Sequence, residues 1–182
     1  MKRKLLTIVL VIFSMTIWAQ ENMFSLSGGY VFTNVENVDA NATGFRINGL
    51  FEYNPQGGSW AHGVSFGYIN TKATTTGTQS NDYAFTNLPI YYAPKYLIGK
   101  KSFKGFVKGA LGMHFSYLSR TGTLAEISDW SFGFYGGASA GLMKTFNDKI
   151  FINLEYEWAY LSNANYRDGF INSVMGGVGI KF

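Results

Sequence analysis

The chain has 182 residues, enough for one domain together with a targeting segment. It contains no cysteine, which excludes a disulfide scaffold, a thiol nucleophile and a lipid-modified amino-terminal cysteine. Aromatic residues make up 18% of the chain, charged residues only 14%, and there are 22 glycines. This composition does not fit a disordered protein and is unusual for a soluble enzyme.

The amino-terminal residues have the pattern of a cleaved signal peptide. Three cations at residues 2–4 precede the apolar run 5–13, and residues 1–19 contain no acid. Ala19 supplies the small residue before a cleavage site. The apolar run is short for a membrane anchor. Without these three cations, the 15 basic residues of the chain become 12 against 11 acidic ones, so the charge gives no reason to expect a nucleic-acid partner. We therefore divide the chain into a signal peptide, residues 1–19, and one domain, residues 20–182.

Residues of alternating polarity mark eight strands along this domain. In the first strand, Phe24, Leu26 and Tyr30 share one face, and Ser25 and Ser27 share the other. In chain order, the predicted strands cover residues 23–33, 45–53, 60–68, 83–98, 103–117, 132–142, 150–160 and 169–182.

The fourth strand is the least regular of the eight. Phe85 and Leu88 fall on opposite phases of the alternation, and Pro89 and Pro94 each remove a hydrogen-bond donor from the ladder. The change of phase predicts a β-bulge near Asn87.

The connections between the strands alternate strictly between long and short. The long polar connections are residues 34–43, 71–82, 119–129 and 162–168, and the short turns are residues 54–58, 99–102 and 147–149. An even-stranded up-and-down barrel, with long loops at one end and short turns at the other, produces this rhythm, whereas a Greek-key sandwich does not. The predicted fold class is therefore all-β, an eight-stranded antiparallel up-and-down barrel.

Side-chain volume decides which face of the strands points outward. An eight-stranded barrel is only just wide enough for side chains to fill it, so its lumen cannot hold the many rings of the apolar face. The apolar face must therefore point outward into lipid, which makes the barrel a transmembrane one. Rings near the strand ends are expected to form two aromatic girdles at the membrane interfaces. The girdle residues are Tyr53, Trp60 and Phe103 near the short turns, and Tyr68, Tyr117, Trp158, Tyr160 and Phe170 near the long loops.

The chain resembles the small eight-stranded outer-membrane barrels of the OmpA/OmpX type, and in detail the outer membrane protein beta-barrel domain of Bacteroidetes. The resemblance covers all of residues 20–182. It rests on the sequence Leu-Pro-Ile-Tyr-Tyr at residues 88–92, on the glycine-rich strands 105–112 and 134–141, and on the closing residues 176–182. It implies a location in the bacterial outer membrane and two partners, the lipopolysaccharide-containing outer membrane and the barrel-assembly machinery. It also implies that the terminal aromatic residue, Phe182, is the assembly signal.

Charged residues on the lumen face are the first candidate site. They are Arg46, Glu52, Lys108, Glu155 and Glu157, with Lys95 as a further candidate. One interpretation is a lined pore or proton path. The other is a set of internal ion pairs within a filled barrel, which we favour because unpaired buried charge is costly and narrow barrels are filled.

His114 and Ser116 are the second candidate site because they lie two residues apart on one strand face. They resemble part of the site of outer-membrane lipid A deacylases, which use a His/Ser pair with a Glu on an eight-stranded barrel. Strand parity, however, points both residues into the lumen, away from lipid, and the candidate acid Glu126 lies in a loop. His62 falls on the lipid face and is expected to be an interfacial residue. The sequence has neither metal-ligand spacing nor a phosphate loop, so we predict no metal and no cofactor.

The leading functional hypothesis is a non-enzymatic outer-membrane barrel that acts through its long loops. The loops would contact an extracellular ligand or another envelope protein, in surface binding, adhesion or an envelope-structural role. Two alternatives remain open from the sequence, a lipid-modifying enzyme of the deacylase type and a narrow pore.

Overall fold

A computed structural model of the chain describes residues 20–36, 40–55, 57–75, 81–99, 102–122 and 127–182. The predicted signal peptide, residues 1–19, lies outside these ranges. Eight antiparallel strands close into one barrel in chain order, which confirms the predicted fold class. The strands are β1 (Gln20–Asn34), β2 (Asn41–Pro55), β3 (Trp60–Thr75), β4 (Asn81–Ile98), β5 (Phe103–Gly122), β6 (Ile127–Phe146), β7 (Ile150–Leu161) and β8 (Phe170–Lys181). Within the described ranges, no helix is long and apolar enough to cross a membrane.

The barrel closes where the first strand meets the last. β1 pairs with β8 from Met23 opposite Lys181 to Phe32 opposite Asn172. Beyond β8, the main chains of Asn22 and Phe182 exchange two hydrogen bonds of 3.0 and 2.9 Å. The backbone pairing of the terminal residue therefore completes the seam, and both edges of the sheet are satisfied along this length.

The two faces of the sheet differ as the alternation predicts. Most large apolar side chains at outward positions are exposed, up to 66% at Trp130. The inward positions next to them are buried, as at Ala110 beside the exposed Leu111. A continuous apolar belt of this size would be unstable in water, because apolar surface exposed to water is unfavourable and soluble proteins keep such patches small. In a lipid bilayer the same belt is the expected outer surface.

Three of the four predicted long loops are partly strand. The β1–β2, β3–β4 and β5–β6 hairpins stay paired as far as Asn34–Asn41, Thr75–Asn81 and Arg120–Ile127 respectively. The polar composition of these segments indicated loops. Above the apolar belt, however, the outward face of a strand is polar because water surrounds it, and threonine favours strands. We call this end of the barrel, with its longer connections, the loop end and the opposite end the turn end.

The predicted bulge near Asn87 is wrong. β4 keeps one register with β3 from Trp60 opposite Tyr96 to Thr75 opposite Asn81, and one register with β5 throughout. The ladder is interrupted beside Pro89 and Pro94, which have no backbone N–H, and it resumes in the same register. The strand itself keeps its phase: Phe85 points inward and is fully buried, where it fills the lumen, whereas Leu88 points outward.

The core of the molecule is the filled lumen, which is organised in layers. Apolar side chains near the turn end form one cluster: Met23, Ala61, Leu97, Phe106, Met143 and Phe151. A larger apolar cluster reaches the loop end and contains Val31, Val35, Ile69, Phe85, Tyr166 and Ile171 among others. Buried charged side chains from four strands, β2, β4, β5 and β7, lie inside the same lumen.

Candidate functional site

The buried charges of the lumen form ion pairs between strands that are distant in sequence. Arg46 on β2 contacts Glu157 on β7, with 2.5 Å between Nη1 and Oε1. Lys108 on β5 lies 2.6 Å from Glu155 Oε1 and 3.7 Å from Glu157 Oε2. All four residues are at most 5% exposed. Glu155 and Glu157 share one face of β7, so the two cations separate carboxylates that would otherwise repel each other.

Two tyrosines complete the surroundings of Arg46. Its Nη2 donates a 2.9 Å hydrogen bond to the hydroxyl of Tyr91, and the hydroxyl of Tyr135 donates to Glu157 Oε1. The two rings stack with centroids 4.8 Å apart, and the guanidinium carbon lies 6.0 and 5.8 Å from their centroids. Neither tyrosine was predicted as a member of the site, although both stand at inward positions of their strands.

A further pair joins β2 and β4. Lys95 Nζ lies 2.6 Å from Glu52 Oε1 and 2.7 Å from Oε2, and it also lies 4.8 Å from the centre of the Phe106 ring. Together the two groups contain three cations and three carboxylates, so their formal charge is zero. We call the six residues the charged belt: Arg46, Glu52, Lys95, Lys108, Glu155 and Glu157.

The fourth connection, residues 162–169, folds back into the mouth of the barrel, and we call it loop 4. Its Tyr166 is 2% exposed, and its hydroxyl lies 2.9 Å from Thr71 Oγ1 and accepts a 2.8 Å hydrogen bond from Asn87 Nδ2. The ring of Tyr166 packs on Phe85 with centroids 5.2 Å apart. Val35, which directly follows β1, forms an isolated antiparallel bridge with Tyr166. The connection predicted as a polar loop therefore supplies an aromatic plug to the lumen.

Burial raises the pKa of Tyr166 to about 12, against the hydrogen bonds from Thr71 and Asn87, which lower it. The folded pKa lies above the ordinary tyrosine value near 10. The contribution of the protonated Tyr166 hydroxyl to the stability of the folded state is therefore complete below pH 10 and is lost as the pH rises towards 12. We expect Tyr166→Phe to lower the free energy of unfolding by about 1–2 kcal/mol at pH 8, because two buried polar groups lose their partner.

The same variant gives a pH test. The stability difference between wild type and Tyr166→Phe should shrink steadily between pH 9 and 11.5, because only the wild type has the hydroxyl that must ionise. Urea unfolding in lipid vesicles at several pH values measures this, and the other tyrosines are common to both proteins. A difference that stays constant over this range would contradict the placement of Tyr166.

His114 and Ser116 lie in the lumen beneath loop 4. His114 Nε2 is 2.8 Å from the backbone oxygen of Ser162, and both predicted residues are almost fully buried. Glu126 lies outside the described residues. His62 is on the outer face, where its Nδ1 lies 2.5 Å from the hydroxyl of Tyr92. The structure thus separates the His/Ser pair from the lipid-facing surface by the wall of the barrel.

The predicted girdle residues lie at outward positions, and most are near strand ends, whereas β3 and β5 continue beyond Tyr68 and Tyr117 to Thr75 and Gly122. Trp60 packs against Tyr96 in a tilted arrangement with centroids 5.0 Å apart, and Tyr117 packs against Trp130 in the same way at 4.8 Å. Phe170 lies between two partners of the loop-end set, at 4.6 Å from Trp158 and 5.4 Å from Tyr160. Among the other predicted members, Phe103 is more than half exposed, Tyr68 packs on Phe45, and Tyr53 is half-buried. Tyr96 and Trp130 were not predicted, although strand parity points both outward.

The loop end has an uneven rim with a notch on one side. β6 begins at Ile127, whereas its neighbour β7 ends at Leu161, opposite Tyr135. The upper part of β6 therefore stands above β7 and loop 4. A cleft of about 520 Å³ occupies this notch, and its lining includes Glu36, Asp129, Ser131, Tyr160, Asn163 and Asp168. In the described part of the chain, no group of three or more potential ligand side chains is arranged to hold a metal ion.

Comparisons with known proteins agree with this architecture. Neisserial surface protein A (NspA) superposes with a TM-score of 0.60 at 12% sequence identity, covering 88% of this chain and 97% of that one. Ail, the attachment invasion locus protein of Yersinia pestis, superposes with a TM-score of 0.58 at 16% identity, covering 89% and 98%. Ail in complex with the heparin analogue sucrose octasulfate gives 0.53 at 21% identity, covering 88% and 99%. Because these sequence identities are low, the similarity shows a shared fold and nothing more. A comparison with curated protein sequences finds none that matches.

The family comparison extends over nearly the whole chain. The profile of the outer membrane protein beta-barrel domain matches residues 5–182. The matched segment contains every strand of the closed barrel and its outward apolar belt. The chain therefore belongs to the outer membrane protein beta-barrel domain family and is an integral β-barrel of the bacterial outer membrane.

Proposed function

We propose that this protein is a non-enzymatic, sealed barrel that acts as a surface binding or envelope-structural protein through its loop end. The observation that supports the proposal best is the filling of the lumen. Apolar side chains occupy both ends and a neutral set of ion pairs lies between the strands, with Tyr166 closing the mouth. A filled lumen argues against a pore and leaves the loop end as the surface available to partners.

The loop end is proposed to face the outside of the cell. In bacterial outer-membrane barrels the turns on the periplasmic side are short and the extracellular connections are longer. The short turns here follow β2, β4 and β6, as at Asn147 and Asp148 between β6 and β7. Hairpins β3–β4 and β5–β6 extend beyond the outward aromatic residues at the opposite end. This orientation presents those hairpins and the notch to the extracellular medium.

The membrane and the assembly pathway supply the remaining proposed partners. The girdle rings at both rims are proposed to anchor the barrel at the two interfaces of the outer membrane, whose outer leaflet contains lipopolysaccharide. Phe182, 62% exposed and paired through its backbone with Asn22, is proposed as the signal read by the barrel-assembly machinery. Its exposed ring does not pack inside the lumen, so another protein can contact and recognise it.

A lipid-modifying activity is less well supported. A deacylase must bring its serine to an acyl ester in the outer leaflet, with a base within hydrogen-bond reach. Ser116 is 1% exposed inside the lumen, and the Nε2 atom of His114 is engaged by the backbone of loop 4. The wall of the barrel separates both groups from the acyl chains.

Two measurements on the same protein test the proposed function. In planar bilayers the purified barrel should give no stable single-channel openings, because the layers of the lumen exclude a continuous water column. Mass spectrometry of lipid A from cells with and without the gene should show the same acylation. Stable conductance would replace the sealed barrel by a pore. Loss of an acyl chain that requires His114 would establish the enzyme instead.

A further inference from the structure

The upper part of β6 has an unpaired edge. Residues 127–131 pair with β5 on one side, from Arg120 opposite Ile127 to Ser116 opposite Ser131. On the other side, β7 reaches only to Leu161. Among the described residues, no strand lies beside this segment on the side of the notch. An edge of this kind presents unpaired N–H and C=O groups to which a further strand can bond.

Loop 4 shows how the lower part of the same edge is used. Ser162 N donates a 3.1 Å hydrogen bond to Phe134 O, and Phe134 N donates a 2.7 Å bond to Ser162 Oγ. One step higher, Asn163 Nδ2 donates to Phe132 O at 3.3 Å. Backbone groups two residues apart on a strand point the same way. The N–H and C=O groups of Trp130 and Ser128 therefore face the notch above loop 4.

The chemistry of the notch indicates which kind of strand would fit. Three acids line it, Glu36 just after β1, Asp129 from β6 and Asp168 from loop 4, and no lysine or arginine is among the lining residues that the structure describes. Asp129 and Ser131 project from β6 on the side of the cleft, while the side chain of Trp130 is 66% exposed on the other face. An added strand would therefore place alternate side chains beside carboxylates.

We propose that the notch is the docking site for an extended, basic segment of another protein, which adds a strand to the edge of β6 at residues 127–131. Main-chain hydrogen bonds to Ser128 and Trp130 would supply the pairing, and Glu36, Asp129 and Asp168 would select lysine or arginine side chains. The length of the free edge matches a strand of about five residues. The proposal rests on the proposed function because it names the partner class for the loop end.

The experiment uses a defined probe, a fluorescein-labelled octapeptide of alternating lysine and threonine. Its binding to the purified barrel in zwitterionic detergent is measured by fluorescence anisotropy. The peptide should bind, and an octapeptide of alternating glutamate and threonine should not. A glutamate peptide that binds as well as the lysine peptide would overturn the assignment of a basic partner.

A matched pair of variants tests the edge itself. Ser128→Pro removes the N–H that faces the notch and leaves the hydrogen bonds to β5, since those come from the residues on either side. This variant should bind the lysine peptide about tenfold more weakly, the effect of losing one or two hydrogen bonds. Ser128→Ala should bind as the wild type does. Equal affinities of the two variants, with both folded as judged by heat-modifiable migration, would overturn strand addition.

The acids and the choice of occupant need separate controls. Asp129→Asn should weaken the lysine peptide and leave the glutamate peptide unbound, and an unchanged affinity would remove the charge argument. A dimer that forms with rising protein concentration and is abolished by Ser128→Pro would assign the edge to a second copy and overturn the proposal. Conductance and lipid A composition test the proposed function independently, so its failure is distinguishable from loss of peptide binding.

Discussion

Replacing Arg46 with methionine is expected to lower the free energy of unfolding by about 3–5 kcal/mol, the range seen when one partner of a buried ion pair is removed. Arg46 is fully buried, and its guanidinium contacts Glu157 and the hydroxyl of Tyr91. Without it, Glu157 keeps only the more distant Lys108 Nζ, at 3.7 Å, and the hydroxyl of Tyr135. The measurement is urea unfolding of the barrel in lipid vesicles, followed by tryptophan fluorescence.

The control removes the whole connected group of charges at once. Arg46 and Lys108 are both replaced by methionine, and Glu155 and Glu157 by glutamine, so that no charge is left without a partner. Arg46 must be included because its guanidinium bonds Glu157. This fourfold variant should be clearly more stable than the single variant, since it leaves no uncompensated charge buried in the lumen. A fourfold variant that is less stable than Arg46→Met would contradict this prediction, because the ion pairs would then stabilise the barrel by more than the neutralisation of each other's charge.

The pair formed by Glu52 and Lys95 allows a second test of the same kind. It contacts neither Glu155 nor Glu157 in an ion pair, so Lys95→Met, Glu52→Gln and the double variant form a separate double-mutant cycle. Each single variant should be less stable than the double variant. The two sets of variants together test whether the charged belt has a structural role in the lumen.

Leu111→Arg is expected to cost about 2–4 kcal/mol, the effect of a cation on the lipid face near the bilayer midplane. Leu111 is 57% exposed on the outer face of β5, roughly midway between the outward rings of Phe103 and Tyr117. The matched control is Ala110→Ser, one residue away on the lumen face and 3% exposed. A serine hydroxyl can bond a neighbouring backbone carbonyl, so this change should cost less than about 1 kcal/mol.

The two variants should be compared by urea unfolding in vesicles of the same lipid. The reverse order of stabilities would mean that the faces of β5 are exchanged. A cation on the outer face could reduce its cost by extending towards an interface. At position 111 this effect should be small, because Leu111 is several residues from either girdle.

The sequence alone was sufficient for the strand count, the strand order and the outward face. Each strand has a period of two, so a few residues such as Phe24, Ser25 and Leu26 establish which face is apolar. Volume then resolves the remaining choice, because a narrow lumen cannot contain the rings. These are local properties of consecutive residues, and tertiary contacts do not change them. The inward parity of Arg46, Glu52, Lys108, Glu155 and Glu157 follows from the same alternation.

The partners of those charges were decided only by the closed barrel. Arg46 and Glu157 are 111 residues apart in sequence, and their contact depends on the tilt and stagger of strands across the lumen. Phe85 shows the same limit. Its phase relative to Leu88 predicted a bulge, whereas the ladder keeps its register and the ring fills space that only the folded barrel defines.

The loop end was the least predictable part of the chain for a related reason. Polar hairpins above the membrane have water on the outward face, so the contrast between the two faces that signals a strand is lost, as in β3 beyond Asn70. Tyr166 stands in a segment with no periodicity, and three left-handed residues, Asn163, Asn165 and Asp168, shape the loop that carries it inward. The unpaired edge of β6 arises from the unequal heights of two neighbouring strands. Strand pairing is a tertiary property, and it determines both the plug and the notch.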